Sequence, residues 1–112
     1  MGKLFIVATP LGNIEDITAR AQSTLKNVDI ILSEDTRVGH KLLSLLGITV
    51  PLLSYHQPSS EETTLKILNL LNEGKDIALI TDAGTPGISD PGNELIHSLL
   101  YYNPELVVSP IP

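Results

Sequence analysis

The sequence contains no cysteine. That excludes a disulfide framework and a thiolate metal site, and it fits a reducing compartment, so a cytoplasmic protein is expected. Tryptophan is absent and aromatic residues make up only 4% of the chain, which leaves any core to aliphatic side chains. No apolar run approaches the roughly 18 residues of a transmembrane helix. Met1-Gly2-Lys3 leads straight into an apolar segment, not a signal peptide, and Ile6 breaks the N-myristoylation pattern. No membrane partner is therefore expected. Cations are scarce: 7 Lys and Arg stand against 13 Asp and Glu, a net charge of −6, which argues against this chain gripping a nucleic-acid backbone by itself. The first apolar run is not followed by G-x-G-x-x-G, and Gly-Lys-Ser/Thr is missing everywhere, so neither phosphate-cradle motif is present. His40, His56 and His97 lack ligand spacing, and no metal is expected.

What the chain does have is alternation. Its 112 residues suit one domain, and 42% of them are hydrophobic, enough for a core. Residues 4–8 form a continuous apolar run with β-branched members, the pattern of a strand buried on both faces. Residues 29–33, 50–54, 77–80 and 106–109 read as further strands. Pro51 marks the third as an edge or a strand start, because it has no ladder donor. Between the strands lie helical stripes. Ile17, Ala21 and Leu25 make the first, with Asp16 as its N-cap. Val38, Leu42, Leu45 and Leu46 make the second, closed by Gly47. A capping box at Ser59-x-x-Glu62 opens the third, with Leu65, Ile67, Leu68, Leu70 and Leu71 as its apolar face and Gly74 as its stop. Asp90-Pro91 opens the fourth, which continues through Leu95, Ile96, Leu99 and Leu100. Five strands alternating with four helices predict an α/β domain, a mostly parallel five-stranded sheet with helices on both faces.

The densest stretch of special backbone chemistry is Ile80-Thr81-Asp82-Ala83-Gly84-Thr85-Pro86-Gly87-Ile88-Ser89-Asp90-Pro91-Gly92. Glycine lets a ligand approach the main chain and proline stiffens the loop. It reads as a ligand cradle with the Asp82 carboxylate at its mouth; a structured crossover loop is the alternative. The five predicted strands end in Thr9, Ser33, Ser54, Thr81 and Ser109. Ligands of parallel sheets bind outside the strands' carboxyl ends. The hydroxyls, the Gly/Pro loops and the Glu34-Asp35 pair would thus share one edge, although small hydroxyl residues also suit strand-to-loop transitions for local reasons. Glu34 or Asp35 after the second strand could hold a ribose, which keeps an adenosine ligand possible.

Val7-Ala8-Thr9-Pro10-Leu11-Gly12-Asn13, Ser33-Glu34-Asp35-Thr36-Arg37, and Thr81-Asp82-Ala83-Gly84-Thr85-Pro86 with Asp90-Pro91-Gly92 resemble the tetrapyrrole methylase superfamily. Within it they are similar to the branch that methylates a cytidine ribose 2′-hydroxyl in small-subunit ribosomal RNA. Glu-Asp-Thr-Arg with Asp-Ala-Gly-Thr-Pro carries that branch; porphyrin-type branches have Gly-Asp-Pro where this chain has Gly84-Thr85-Pro86. The match runs from about Leu4 to Pro112, in the same motif order. The resemblance implies an S-adenosylmethionine-dependent enzyme, two α/β domains with the cofactor in the cleft between them, and a homodimer. Residues 1–112 correspond to the N-terminal, cofactor-binding domain. The resemblance implies that a second, C-terminal domain is expected outside this chain, since relatives continue beyond Ser109-Pro110-Ile111-Pro112 through a Gly-Pro-Ser segment. This chain alone is then expected to be inactive. The basic RNA surface is expected in the absent half.

The resemblance also assigns residues. Leu11, Gly12, Asp82, Ala83, Gly84, Thr85, Pro86 and Ile88 stand where relatives contact the cofactor; ordinary loop packing is the alternative for Leu11 and Ile88. A ribose hydroxyl is a poor acid and needs a base or a strong acceptor. Glu34, Asp35 and Asp82 are the candidate catalytic carboxylates. Glu34 and Arg37 are candidate substrate residues, with Arg37 suited to a phosphate; Asp35 as a helix cap and a solvated Arg37 are the structural alternative. Rival functions are methyl transfer to a tetrapyrrole or other small molecule, and a non-catalytic adenosyl-ligand binding module.

Overall fold

The computed structural model describes residues 1–10, 14–55, 60–82 and 93–111, with the main chain only at Asp82 and Asn93. The elements are β1 (Leu4–Thr9), α1 (Ala19–Asn27), β2 (Ile30–Ser33), α2 (Thr36–Leu46), β3 (Leu52–Ser54), α3 (Glu61–Asn72), β4 (Ile77–Asp82), α4 (Asn93–Tyr102) and β5 (Val108–Ile111), with a short 3₁₀ turn at Ile14–Asp16. The strands form one sheet in the order β3-β2-β4-β1-β5. All four pairings are parallel. The expected α/β architecture is the one observed.

Side chains alternate across the sheet with the period of two that a strand dictates. Leu4, Leu32, Ile77 and Leu79 face a cluster with Ile67, Leu68 and Leu71 of α3 and Leu95 and Leu99 of α4. Val7, Ile31 and Ala78 face a second cluster with Ala21 and Leu25 of α1 and Leu43 of α2. So α1 and α2 cover one face, and α3 and α4 the other. The reason is chirality. The chain moves from β1 through β2 to β3 toward one edge, then back through β4 to β5 at the other. A crossover of constant hand must change face when it changes direction.

The amino edge of the sheet is pinned by two carboxylates. The Asp76 side chain accepts from the Lys3 amide at 2.8 Å, and the Asp29 side chain accepts from the Asp76 amide at 2.8 Å. The Asp29 amide donates back to the Asp76 carbonyl at 2.9 Å. These bonds join the starts of β1, β2 and β4 and leave the opposite edge for chemistry.

Several boundaries depart from expectation. Thr18, not Asp16, caps α1: its side chain accepts from the Ala21 amide. The Ile17 amide is already drawn to the Ile14 carbonyl, so the 3₁₀ turn delays the helix. Ser60 caps α3 by accepting from the Thr63 amide, one residue beyond the predicted box; Ser59 lies outside the described residues. In α2 the predicted stripe is partly wrong, because Val38 and Leu45 are 64% and 63% exposed. The helix is seated instead through Gly39 and Leu43. Leu65 of α3 also points outward. β5 begins two residues late and contains Pro110, which an edge strand tolerates. Ser109 therefore pairs with Phe5, well inside the strand, and does not end it. β4 runs one residue beyond Thr81, to Asp82. Pro51 precedes an edge strand, and Gly47 and Gly74 end their helices at φ +69° and +91°, all as predicted. The Asp90-Pro91 start lies outside the described residues.

Candidate active site at the carboxyl edge of the sheet

β1 and β4 are hydrogen-bonded neighbours whose outgoing connections diverge, one to β2 on the left and the other to β5 on the right. That makes their shared carboxyl end the topological switch point, where a crevice opens in a parallel sheet. Thr9 and Asp82 are direct register partners, so residues 10–13 and 83–92 depart from adjacent positions. Buried Thr9 ties the two ends together: its hydroxyl donates to the Thr81 carbonyl at 3.0 Å. Asp82 closes β4. Leu11, Gly12, Ala83, Gly84, Thr85, Pro86 and Ile88 lie outside the described residues.

The charged cluster sits one strand away. β2 passes into α2 through only Glu34 and Asp35. Asp35 is the N-cap of α2, accepting from the Arg37 amide at 3.0 Å. Its carboxylate also receives the Arg37 guanidinium, with Nη2 3.3 Å from Oδ2. That side-chain hydrogen bond, first of all, holds the Asp35 carboxyl below its ordinary value, and Arg37 is raised in return. A carboxylate so engaged is a weakened proton acceptor. Glu34 is exposed and has no hydrogen-bond partner among the described residues. The Arg37 side chain is 90% exposed. Glu34, Asp35, Thr36, Arg37 and Ser54 line an open depression of about 510 Å³.

Two further residues shape this corner. The buried Ser33 hydroxyl donates to the Asp35 carbonyl at 2.9 Å and fixes the turn. Gly39 admits the helix: a Cβ there would stand 2.8 Å from Leu52 Cδ2 and 3.1 Å from both Ser33 Cβ and Ser33 Oγ. Ser33 was visible as one of the row of hydroxyls. Gly39 had no signal, since it sits within an apparently ordinary helix. A separate depression of about 440 Å³ between α3 and α4 is lined by Glu61, Thr64, His97, Ser98, Tyr101 and Tyr102. It lies on the other face of the sheet and brings together none of the predicted site residues. Among the described residues no group of three His, Cys, Asp or Glu could hold a metal, and no helix is long and apolar enough to cross a membrane.

Comparison with known proteins places the whole chain in a family. The family model for tetrapyrrole (corrin/porphyrin) methylases matches residues 3–112. The chain belongs to the tetrapyrrole methylase family. Among curated members, the ribosomal RNA small subunit methyltransferase I of Synechocystis sp. is 50% identical over 112 residues, covering all of this chain and 39% of that protein. The protein of the same name from Thermotoga maritima is 49% identical, covering all of this chain and 50% of its own length. The chain thus spans between about a third and a half of such relatives. Solved family structures share the fold: a cobalt precorrin-4 methyltransferase superposes with a TM-score of 0.76 at 20% identity, over 98% of this chain and 45% of that one. A uroporphyrin-III C-methyltransferase from Thermus thermophilus, complexed with S-adenosylhomocysteine, gives 0.70 at 20% identity, over 99% and 44%.

Proposed function

We propose that this chain is the N-terminal cofactor-binding domain of an S-adenosylmethionine-dependent methyltransferase that acts in the cytoplasm on a cytidine ribose 2′-hydroxyl of small-subunit ribosomal RNA. The second domain is the part of the relatives that this chain does not span, and the working form is a homodimer. The observation that carries the reading is the switch point: two Gly/Pro-rich segments leave the sheet from the paired positions Thr9 and Asp82. The names of relatives at about half identity over the whole chain, ribosomal RNA small subunit methyltransferase I, support small-subunit ribosomal RNA as the substrate class.

Such a crevice suits an adenosyl ligand, which needs an apolar slot and a few convergent polar groups. Leu11, Gly12, Ile88 and residues 82–86 would hold S-adenosylmethionine, which when bound supplies a methyl group on a sulfonium sulfur. The carboxylate of Asp82 favours that cation. Glu34, lacking the ties that hold Asp35, is the better of the two neighbours to accept the proton of the ribose hydroxyl. Asp35 orients Arg37, whose five donors leave several for a phosphate even while one carboxylate is engaged. The domain's main contribution is orientation and exclusion of water.

The test uses the full-length protein with methyl-labelled S-adenosylmethionine and unmethylated small ribosomal subunits. Label is expected in the RNA at a site resistant to alkaline cleavage, since 2′-O-methylation removes the attacking hydroxyl. Label in a tetrapyrrole precursor and none in RNA would overturn the reading.

A further inference from the structure

The acidic residues are not spread evenly. Residues 36–60 contain no Asp or Glu, although the whole chain has 13. This acid-free tract comprises α2 and β3, which lie side by side at one edge of the sheet. On the outside of α2 stand Arg37 and Lys41, four residues apart and therefore on one face, about 6 Å apart along the axis. His40 is also exposed. Val38 and Leu45, seven residues apart, are the large apolar side chains that α2 leaves in solvent. An open groove of about 570 Å³ runs from His40 and Ser44 past Gly47 and Thr49 to Val50 and Leu52, between the end of α2 and β3. At its other end α2 opens onto the depression of Glu34, Asp35, Thr36, Arg37 and Ser54.

We propose that the outer face of α2, continued by the groove against β3, is a docking track for the single-stranded RNA that flanks the target nucleotide. The inference rests on the function proposed above and extends it from one phosphate contact to a surface. Charge complementarity selects the occupant: a polyanion is repelled by the acidic remainder of the chain and meets cations on this edge. The form of the RNA follows from Val38 and Leu45. Unstacked bases have apolar faces to lay against such side chains, whereas a duplex hides them. The track leads from the groove to Arg37 and the β2–α2 turn, on the same carboxyl edge as the crevice. Glu34 and Asp35 mark where the phosphates end.

The experiment measures binding of a short cytidine-rich single-stranded RNA, and of unmethylated small subunits, to the full-length protein over a range of salt. The Arg37→Gln/Lys41→Gln double variant is expected to bind roughly tenfold more weakly near physiological salt, with a log–log salt slope shallower by about 1.4, about 0.7 for each cation lost against a single strand. Lys41→Arg retains the cation and is expected to bind as wild type, as is Lys66→Gln on α3, across the sheet. S-adenosylhomocysteine affinity is expected to stay unchanged in all of them, which distinguishes a lost RNA contact from a damaged fold. Should the double variant fold poorly, Lys41→Gln alone decides, with half the change in slope. Unchanged RNA affinity in the variants, beside a wild type that methylates RNA, overturns the track and leaves the proposed function standing. So does a double variant that changes only the oligomeric state, or a duplex that binds as tightly as the single strand. A wild type that binds S-adenosylhomocysteine but neither binds nor methylates RNA overturns both.

Discussion

Replacing Thr9 with Val tests whether the switch point is held by the bond seen across it. The Thr9 hydroxyl is buried and donates to the Thr81 carbonyl at 3.0 Å, joining the carboxyl ends of β1 and β4 where the two Gly/Pro segments depart. Val keeps the shape and removes the donor. The net loss of one such bond is about 1 kcal/mol, rising toward about 2 kcal/mol because the carbonyl it served is partly buried and loses a donor. For a domain of this size that lowers the midpoint of thermal unfolding by roughly 5–10 °C. The functional consequence is separate. With the strand ends freed, the ligand must re-order them on binding, so S-adenosylhomocysteine is expected to bind several-fold more weakly. Thr9→Ser keeps the donor, loses only a methyl group and should retain most of the affinity. Urea unfolding and calorimetric titration of all three forms measure both quantities. A Thr9→Val protein as stable as wild type, with equal ligand affinity, would refute the assignment of this bond as the tie between the loops.

Three further outcomes follow from the same geometry. A Cβ on Gly2 would fall on the Lys75 carbonyl, so Gly2→Ala must push apart the start of β1 and the turn after α3 and loosen the 2.7 Å bond from the Gly2 amide to Leu71; overpacking plus that bond amounts to about 2–4 kcal/mol, read by urea unfolding. The Asp35 carboxyl should titrate below 3.8 by carbon NMR and return toward that value in Arg37→Gln. Because its folded value is depressed, its contribution is complete above the unfolded pKa and is lost only as pH falls through the lower folded one, so the α2 cap should outlast the titration of ordinary carboxyls. Tyr102 donates to Glu61 at 2.9 Å, which raises its phenol above 10.0, and Glu61→Gln should bring the ultraviolet titration of that tyrosine down.

The parts of this fold that could be read from sequence are those whose physics is periodic. Continuous apolar runs such as residues 4–8, and stripes such as Ile67, Leu68 and Leu71, report burial directly, and from their alternation the parallel sheet follows. Single-residue devices were harder to see. Thr18 displaced Asp16 as a cap because a 3₁₀ turn, invisible in the hydrophobic pattern, used up one more turn of chain. Gly39 misled more seriously. A helix normally buries its largest apolar side chains, but α2 approaches β2 through the space a missing side chain leaves, and this turns Val38 and Leu45 outward. Within the site, Asp35 and Arg37 could be named as a cluster, yet their spacing does not say that Asp35 commits its oxygens to its own helix and to the Arg37 guanidinium. The hydroxyl row holds for Thr9, Ser33, Ser54 and Thr81, at or next to the ends of their strands, but two of them have local work. Thr9 and Ser33 serve nearby carbonyls, whereas Ser109 is not at this edge at all.

The net charge of −6 illustrates a different limit, because a sum says nothing about distance. At physiological ionic strength the field of an exposed charge is screened over about 8 Å. The molecule measures 37 × 29 × 22 Å, so even its shortest dimension exceeds two screening lengths. Glu61, Glu62 and Glu73 belong to α3 or its end and Glu94 to α4, on the face of the sheet away from α2. Their repulsion of a phosphate lying along α2 is therefore small, while Arg37 and Lys41 act at contact. At the β2–α2 turn Glu34 and Asp35 stand beside Arg37, and Asp35 is already neutralised in part by it. An acidic domain can thus present a cationic edge without a basic composition. Its affinity for RNA should depend steeply on two side chains and hardly at all on the total, and removing acids from α3 should leave binding at 0.15 M salt unchanged within about twofold.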